Sequence, residues 1–375
     1  MEPVQVKKYL LFRIPMSICN FRCSYCYLSQ RDESFQGEQP PMHYSPEQIA
    51  YALRQERTGG PCLVNLCADG ETLLVQDLDK IVRLLLEAGH YVEFVSNVTL
   101  TRPLEKYLQI GPELLRHMEF KCSFHYLELK KHGLLETFAD NVRRIWQAGA
   151  SANIEITPHD ELIPYIDEIK AFSMEHFGAL PHITIARDDR TQQILRLTKL
   201  PTDVFTKTWS VFGSDFFAYK TGIFGVRQKQ FCYAGKWSLY SDLTTGEAWK
   251  CYFGGLVGNI FEHPDEPLPE APTGRCPLAH CYNGHTLITM GLIPDADAPG
   301  YGKLRDRVRE DGTHWLQDEM YAFMNTKLRD ANERLPRAKE RLICAEQAAK
   351  SVPSKIIRAY YAKKYPKKLD KTDES

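Results

Sequence analysis

Over roughly the first 190 residues, apolar runs of strand length alternate with stretches whose apolar positions recur at helical spacing. The strand-like runs are 9–18 (YLLFRIPMSI), 62–68 (CLVNLCA), 91–97 (YVEFVSN), 118–124 (MEFKCSF), 152–158 (ANIEITP) and 182–187 (HITIAR). Between them, helices are expected over 45–56, 77–89, 103–117, 135–149 and 161–178. Ser45, followed by Pro46 and Gln48, has the chemistry of an N-cap, and Gly89, Gly149 and Gly178 sit where helices end on a left-handed residue. Repeated strand–helix units with apolar strands imply an α/β fold in which helices cover a parallel sheet. The pattern changes after Asp188. Residues 232–300 are rich in Cys, Gly and Pro with weak periodicity, as in a small loop-rich module held by a metal rather than by a core. From Leu304 to Ala349 the chain reads as charged, solvated amphipathic helices that cover the rest or face a partner, and it ends in a basic tail, 355–371. The expected division is therefore 1–190, 191–300 and 301–375.

Composition narrows the setting. The 375 residues are 43% hydrophobic and 25% charged with a formal net charge of -1, so no global charge draws the chain to nucleic acid or to acidic membranes. The N-terminus lacks a signal-peptide pattern, and no apolar stretch reaches membrane-spanning length, which together suggest a cytoplasmic protein. Basic residues interleaved with Tyr360, Tyr361 and Tyr365 in the tail suit RNA or phosphate, but a frayed soluble terminus is the simpler reading. Eleven cysteines, an odd number in such a setting, point away from a disulfide framework and toward metal, cluster or redox chemistry.

Three of them, Cys19, Cys23 and Cys26, fall in CNFRCSYC with the spacing C-x3-C-x2-C. Structural zinc takes four protein ligands, usually as two C-x2-C pairs. Three thiols on an iron–sulfur cluster instead leave one iron open for a substrate or cofactor. The cluster directly follows the first strand. One unit later, the second strand ends in Ala68-Asp69-Gly70-Glu71-Thr72, which alone would be a surface turn. Ser96 and Asn97 end the third strand, and Ser123 and His125 the fourth, the end of a parallel sheet at which ligands gather. Strand alternation sends Ser123 and His125 to one face and Cys122 to the other. His125 is a candidate acid–base or substrate-binding group as well as an ordinary strand-end histidine, and Cys67 is a candidate hydrogen-atom donor as well as a packed thiol.

These motifs resemble the radical S-adenosylmethionine (SAM) superfamily, with Tyr25 as the aromatic residue before the last cysteine. The resemblance implies a partial (β/α)6 TIM-like barrel and a 4Fe-4S cluster on Cys19, Cys23 and Cys26. The open iron would chelate SAM, and one electron would split it into methionine and a 5'-deoxyadenosyl radical. It also implies SAM contacts from Tyr25, Asp69, Gly70, Glu71, Ser96, Asn97 and Ser123, although Asp69 and Thr72 depart from the family's G-G-E-P turn.

A second group, Cys232, Cys251, Cys276 and Cys281, lies in the loop-rich segment. Cys232, Gly246 and Cys251 are spaced C-x13-G-x4-C, and a GN pair follows at Gly258-Asn259. This resembles the SPASM and twitch extensions of the same superfamily and implies one auxiliary 4Fe-4S cluster. Structural zinc also suits four cysteines, and His280 or His285 could replace one. The implied function is oxidation or epimerisation of a saccharide or other small metabolite, supported by a flavodoxin- or ferredoxin-type electron donor. A maturase of ribosomal peptides is the alternative, less favoured because 18 residues before Cys19 leave no room for a leader-binding domain. A non-catalytic iron–sulfur or zinc protein is a third reading.

Overall fold

The computed structural model describes residues 3–30, 38–190 and 194–349. The basic tail 355–371 lies outside them. The strands in chain order are β1 (Lys8–Ile14), β2 (Cys62–Ala68), β3 (Tyr91–Ser96), β4 (Met118–Ser123), β5 (Ser151–Ile156) and β6 (His182–Ile183). There follow β7 (Arg187–Asp188), β8 (Leu195–Arg196), β9 (Phe231–Cys232), β10 (Ser238–Asp242), β11 (Glu247–Trp249), β12 (Leu256–Asn259) and β13 (Gly274–Arg275).

Strands β1 to β6 pair in sequential order, all parallel, with helices between them. Their apolar faces meet those helices in one core that includes Phe12, Leu66, Phe94, Phe120 and Ile154. On the helix Leu78–Glu87, Leu78, Ile81, Val82, Leu85 and Leu86 form the buried stripe. The sheet does not close, because β6 and β12 are its two edges. The parallel sheet is the one that the repeated strand–helix units imply, and its open form is consistent with the partial barrel that the resemblance implies.

The expected elements are adjusted where proline or glycine interrupts them. β1 stops at Ile14, because Pro15 has no N–H to give the ladder. The 103–117 helix divides into Thr101–Leu108 and Pro112–Leu115 around Gly111. The 161–178 helix opens as a 3-10 segment containing Pro164 before Ile166–Phe177. The strand expected over 182–187 pairs only at His182–Ile183, and the chain then leaves the sheet. A further helix, Tyr126–His132, directly follows the fourth unit's strand end.

The sheet also runs across the 190/191 partition. β10 lies parallel beside β1, with Tyr9 opposite Ser238 and Arg13 opposite Asp242, and β11 and β12 add antiparallel to it. Phe261 stacks on Phe12 at 5.8 Å, so the later segment shares the barrel's core. The helical reading of 304–349 resolves into Tyr301–Arg305, Asp318–Asn325, Leu328–Ala331 and 337–349. These are less solvated than the charge pattern implies. Leu316, Met320, Phe323, Met324 and Leu328 are buried against the opposite faces of the strands, where Tyr91 stacks on Phe323 at 3.7 Å.

Inside the barrel, several of the residues facing the lumen are charged. Glu93, Glu119, Lys121 and Glu155 project inward from β3, β4 and β5, and Glu93 stands opposite Glu119 in the register. Like charges on adjacent strands repel. The cations Lys121 and Arg305 answer them: Lys121 Nζ lies 3.2 Å from Glu93, and Arg305, fully buried, reaches Glu155 at 2.6 Å and Glu119 at 3.4 Å. No helix among the described residues is long and apolar enough to cross a membrane.

Candidate active site

The cysteine loop leaves β1 and is immediately pinned to the turn after β2. The N–H groups of Asp69, Gly70 and Glu71 donate to the carbonyls of Ile14, Met16 and Ile18 at 3.0, 2.7 and 2.8 Å. At Gly70 the two backbones are so close that a Cβ would stand 2.0 Å from the Ile18 oxygen. Only glycine fits there. The residues that depart from the G-G-E-P pattern have partners of their own: Asp69 binds Arg13 in a bidentate pair, and Thr72 Oγ1 accepts the Ala68 N–H at 3.1 Å.

Glu71 is buried, and its carboxylate accepts from Leu73 N, Ser96 Oγ and Asn97 N at 2.9, 2.6 and 2.9 Å. Burial nevertheless raises its pKa above the ordinary carboxylate range. The carboxylate therefore clips the turn to the end of β3. The Asn97 side chain is likewise committed, accepting from Thr99 and donating to Asn20 Oδ1 at 2.9 Å, while Asn20 donates to Thr99 Oγ1 at 2.9 Å. This triangle ties the cysteine loop to the third strand. Val98, between its members, adopts φ 45°, a strained value for a β-branched residue, and its carbonyl is held by Asn141 Nδ2 at 2.8 Å.

At the fourth strand, Ser123 and His125 face inward and Cys122 is buried in the core. The His125 ring nitrogen Nδ1 lies 2.6 Å from the Tyr25 hydroxyl, which also hydrogen-bonds Cys23. Burial pushes the His125 pKa down to about 4, so the ring is neutral near pH 7. Cys67 lies at the end of β2, where burial pushes its thiol up to about 12. A single cavity of about 370 Å³ is lined by every candidate from the first half of the chain, Cys19 through His125.

Residues 14–121 match the Radical SAM superfamily. That domain carries the three cysteines, the glycine turn and the ends of β2 and β3. No curated protein matches the chain in sequence. Among solved structures, the chain is similar to Streptococcus suis SuiB bound to S-adenosylmethionine, with 14% identity, TM-score 0.48, and coverage of 69% of this chain and 64% of SuiB. It therefore spans just under two thirds of SuiB's length. It is also similar to native anSMEcpe with bound AdoMet (15% identity, TM-score 0.47, coverage 68% and 78%). A third is BtrN in complex with AdoMet and 2-DOIA (13% identity, TM-score 0.37, coverage 69% and 80%).

The radical SAM superfamily uses a 4Fe-4S cluster, and the donor set at the cavity fits one. All three thiols line that cavity; burial above all, with neighbouring thiol charge acting the same way, pushes Cys19 up to about 11 and Cys23 to about 12. A cationic cluster would supply the charge they lack. Cys232 on β9 and Cys276 just after β13 are brought together by the β9–β13 ladder, in which Cys232 faces Gly274. Cys281 is buried within electrostatic reach of Cys232, Cys276 and Cys251. Among the described residues, no three or more His, Cys, Asp or Glu side chains are grouped so as to hold one metal ion. His285 lines the main cavity, and His280 packs between Phe224 and Tyr282, with ring centroids at 4.4 and 4.8 Å.

The C-x13-G-x4-C spacing has a local cause. Gly246 makes the β10–β11 turn at φ 79°, where a Cβ would meet Asn259 Oδ1 at 2.4 Å. Asn259, of the GN pair, braces that turn by donating to Thr245 O at 2.8 Å. Tyr252 and Tyr282, each next in sequence to a cysteine of the second group, also line the cavity. Neither tyrosine stands out in the sequence, and neither do Asn20 and Thr99, which are ordinary polar residues until the loop and strand meet.

Proposed function

We propose that the chain is a radical SAM enzyme that acts on a saccharide or other small metabolite, by oxidation or epimerisation, with an auxiliary iron–sulfur cluster. The observation that carries this reading is the gathering of Cys19, Cys23 and Cys26 with Gly70, Ser96, Asn97 and Ser123 around one cavity. When bound, the cluster on these cysteines would supply the electron that splits SAM into methionine and a 5'-deoxyadenosyl radical. The chain's own part is to hold the reactants and exclude water. The backbone bonds between 69–71 and 14–18 fix the glycine turn against the cysteine loop, and the Asn20–Asn97–Thr99 triangle fixes the loop against β3. Tyr25 and His125 form a neutral pair beside Cys23, suited to orient a polar group.

Cys232, Cys251, Cys276 and Cys281 would hold the auxiliary cluster, and Tyr252 and Tyr282 would separate it from the substrate space. An auxiliary cluster held by these cysteines would supply an electron acceptor for an oxidation. A small reducing flavodoxin- or ferredoxin-type protein would supply the first electron. Anaerobic reconstitution with iron and sulfide, followed by SAM and dithionite, tests the reading: 5'-deoxyadenosine is expected, and none above a Cys23→Ala control would remove it.

A further inference from the structure

Two cations on the β5–β6 side of the cavity have no ion-pair partner among the described residues. Of the lumen cations, Lys121 is matched by Glu93, and Arg305 by Glu155 and Glu119. Two others line the cavity without such a match: Arg187, just beyond β6, and Lys220, on the helix Asp215–Ile223. Lys220 Nζ donates to the neutral hydroxyl of Thr184, and Arg187 Nη1 donates to the Tyr282 carbonyl at 3.4 Å. Among the described residues no carboxylate lies within ion-pair distance of either cation.

The other carboxylates lining the cavity are engaged or placed elsewhere. Asp69 is paired with Arg13, and Glu71 is clipped to β3. Asp189 acts on Cys26 and Tyr282. His285 lines the same cavity with its Nδ1 buried and unpartnered. Two titratable groups feel the neighbouring cations. Lys220 is pushed down to about 7 by burial, against the pull of Glu155, with Arg187, Arg305 and Lys121 adding to the fall. His285 is held well below its ordinary range by burial and then by Lys220, Lys121, Arg305 and Arg187. Partly buried cations that touch no carboxylate gain from an entering anion.

We propose that Arg187 and Lys220, with Thr184 and His285 in the same cavity, form an anion subsite that grips a carboxylate or phosphate group of the substrate. The inference rests on the reading that this cavity is where SAM and substrate meet. It assigns the substrate a charged handle held by the β5–β6 side, with its reacting carbon turned toward the SAM side. Arg187 supplies a planar fork and Lys220 a point charge, a combination that suits oxyanions.

The test uses anaerobically reconstituted protein with SAM present and two probes, inorganic phosphate followed by phosphorus NMR line width and acetate followed by methyl saturation transfer. At least one probe should bind. Arg187→Gln and Lys220→Met should each weaken it by about tenfold or more, as for lost charge-assisted hydrogen bonds, and Lys220→Arg should retain most of the affinity. Iron content and SAM affinity of the variants should match the parent, which separates a lost subsite from a lost fold. Preference for phosphate or for acetate identifies the handle, and either result supports the subsite. No binding of either probe to the parent, or unchanged binding in both variants, overturns it. SAM affinity falling in step with probe affinity also overturns it, by assigning the cations to SAM's own carboxylate. Absence of 5'-deoxyadenosine with anion binding intact would instead remove the function proposed above and leave the subsite standing.

Discussion

Replacing Arg305 by methionine tests whether the charged lumen is held together from the C-terminal segment. The guanidinium has no exposed surface, and it approaches Glu155 at 2.6 Å and Glu119 at 3.4 Å from strands that it does not itself belong to. Methionine fills much of the same length but leaves both carboxylates buried without their main cation. Breaking a buried pair from one side costs about 3–5 kcal/mol, because the remaining charge cannot return to water. Burial already raises Glu119 above the ordinary range, whereas Arg305, offsetting burial, holds Glu155 below it. In the variant both should rise. The sign with pH follows: above the unfolded carboxylate pKa, about 4.3, the two groups penalise the variant, and as pH falls through their raised folded values they protonate and the penalty fades. Urea unfolding, followed by the fluorescence of the buried Trp209, Trp237 and Trp315, should show a lower midpoint at pH 8 and a smaller difference from the parent at pH 5.5. Adding Glu119→Gln should recover at least about 1 kcal/mol by removing one orphaned charge. A loss below about 1 kcal/mol at pH 8, or a gap that widens on acidification, would refute the reasoning.

Three further outcomes follow from the same geometry. Gly70→Ala places a methyl on the Ile18 carbonyl; it should destabilise the protein by about 1–3 kcal/mol and weaken SAM binding, and a variant with parental SAM affinity by equilibrium dialysis would contradict the close approach. The buried histidines His125, His182 and His285 all have pKa values below the ordinary imidazole range through burial, so the unfolded chain binds more protons. Their contribution should be full above about pH 6.5 and decline as pH falls toward about 4; a melting temperature that rises over that interval would oppose this. Iron analysis should give about eight irons per chain for two 4Fe-4S clusters, falling to about four in Cys251→Ala, whereas four irons with one zinc in the parent would move the second cysteine group to a zinc site.

Much of the barrel is legible from local pattern because each of its first five strands is an apolar run bounded by helix caps or turns. The motif glycines are legible only in part for the same reason. Gly246 sits at a left-handed turn, a local constraint, whereas Gly70 sits at a backbone contact with Ile18 that only the fold creates. The pairing of β10 with β1 is not legible, because a parallel register between residues more than 200 positions apart leaves no local periodicity. Arg305 illustrates the other limit. Within RDRVRE it has the charge pattern of a solvated helix, and only the inward-facing Glu119 and Glu155 make it a buried counter-ion. Arg187 and Lys220 are equally silent in sequence, since their meaning depends on which groups the fold brings around the cavity.

The central claim is that Cys19, Cys23 and Cys26 surround the place where SAM is cleaved. Anaerobic incubation of the reconstituted protein with SAM and dithionite, with 5'-deoxyadenosine quantified by liquid chromatography and mass spectrometry, tests it most directly. The account predicts time-dependent 5'-deoxyadenosine that is abolished in Cys23→Ala. Fully loaded protein that binds SAM yet forms no more 5'-deoxyadenosine than that variant would contradict it.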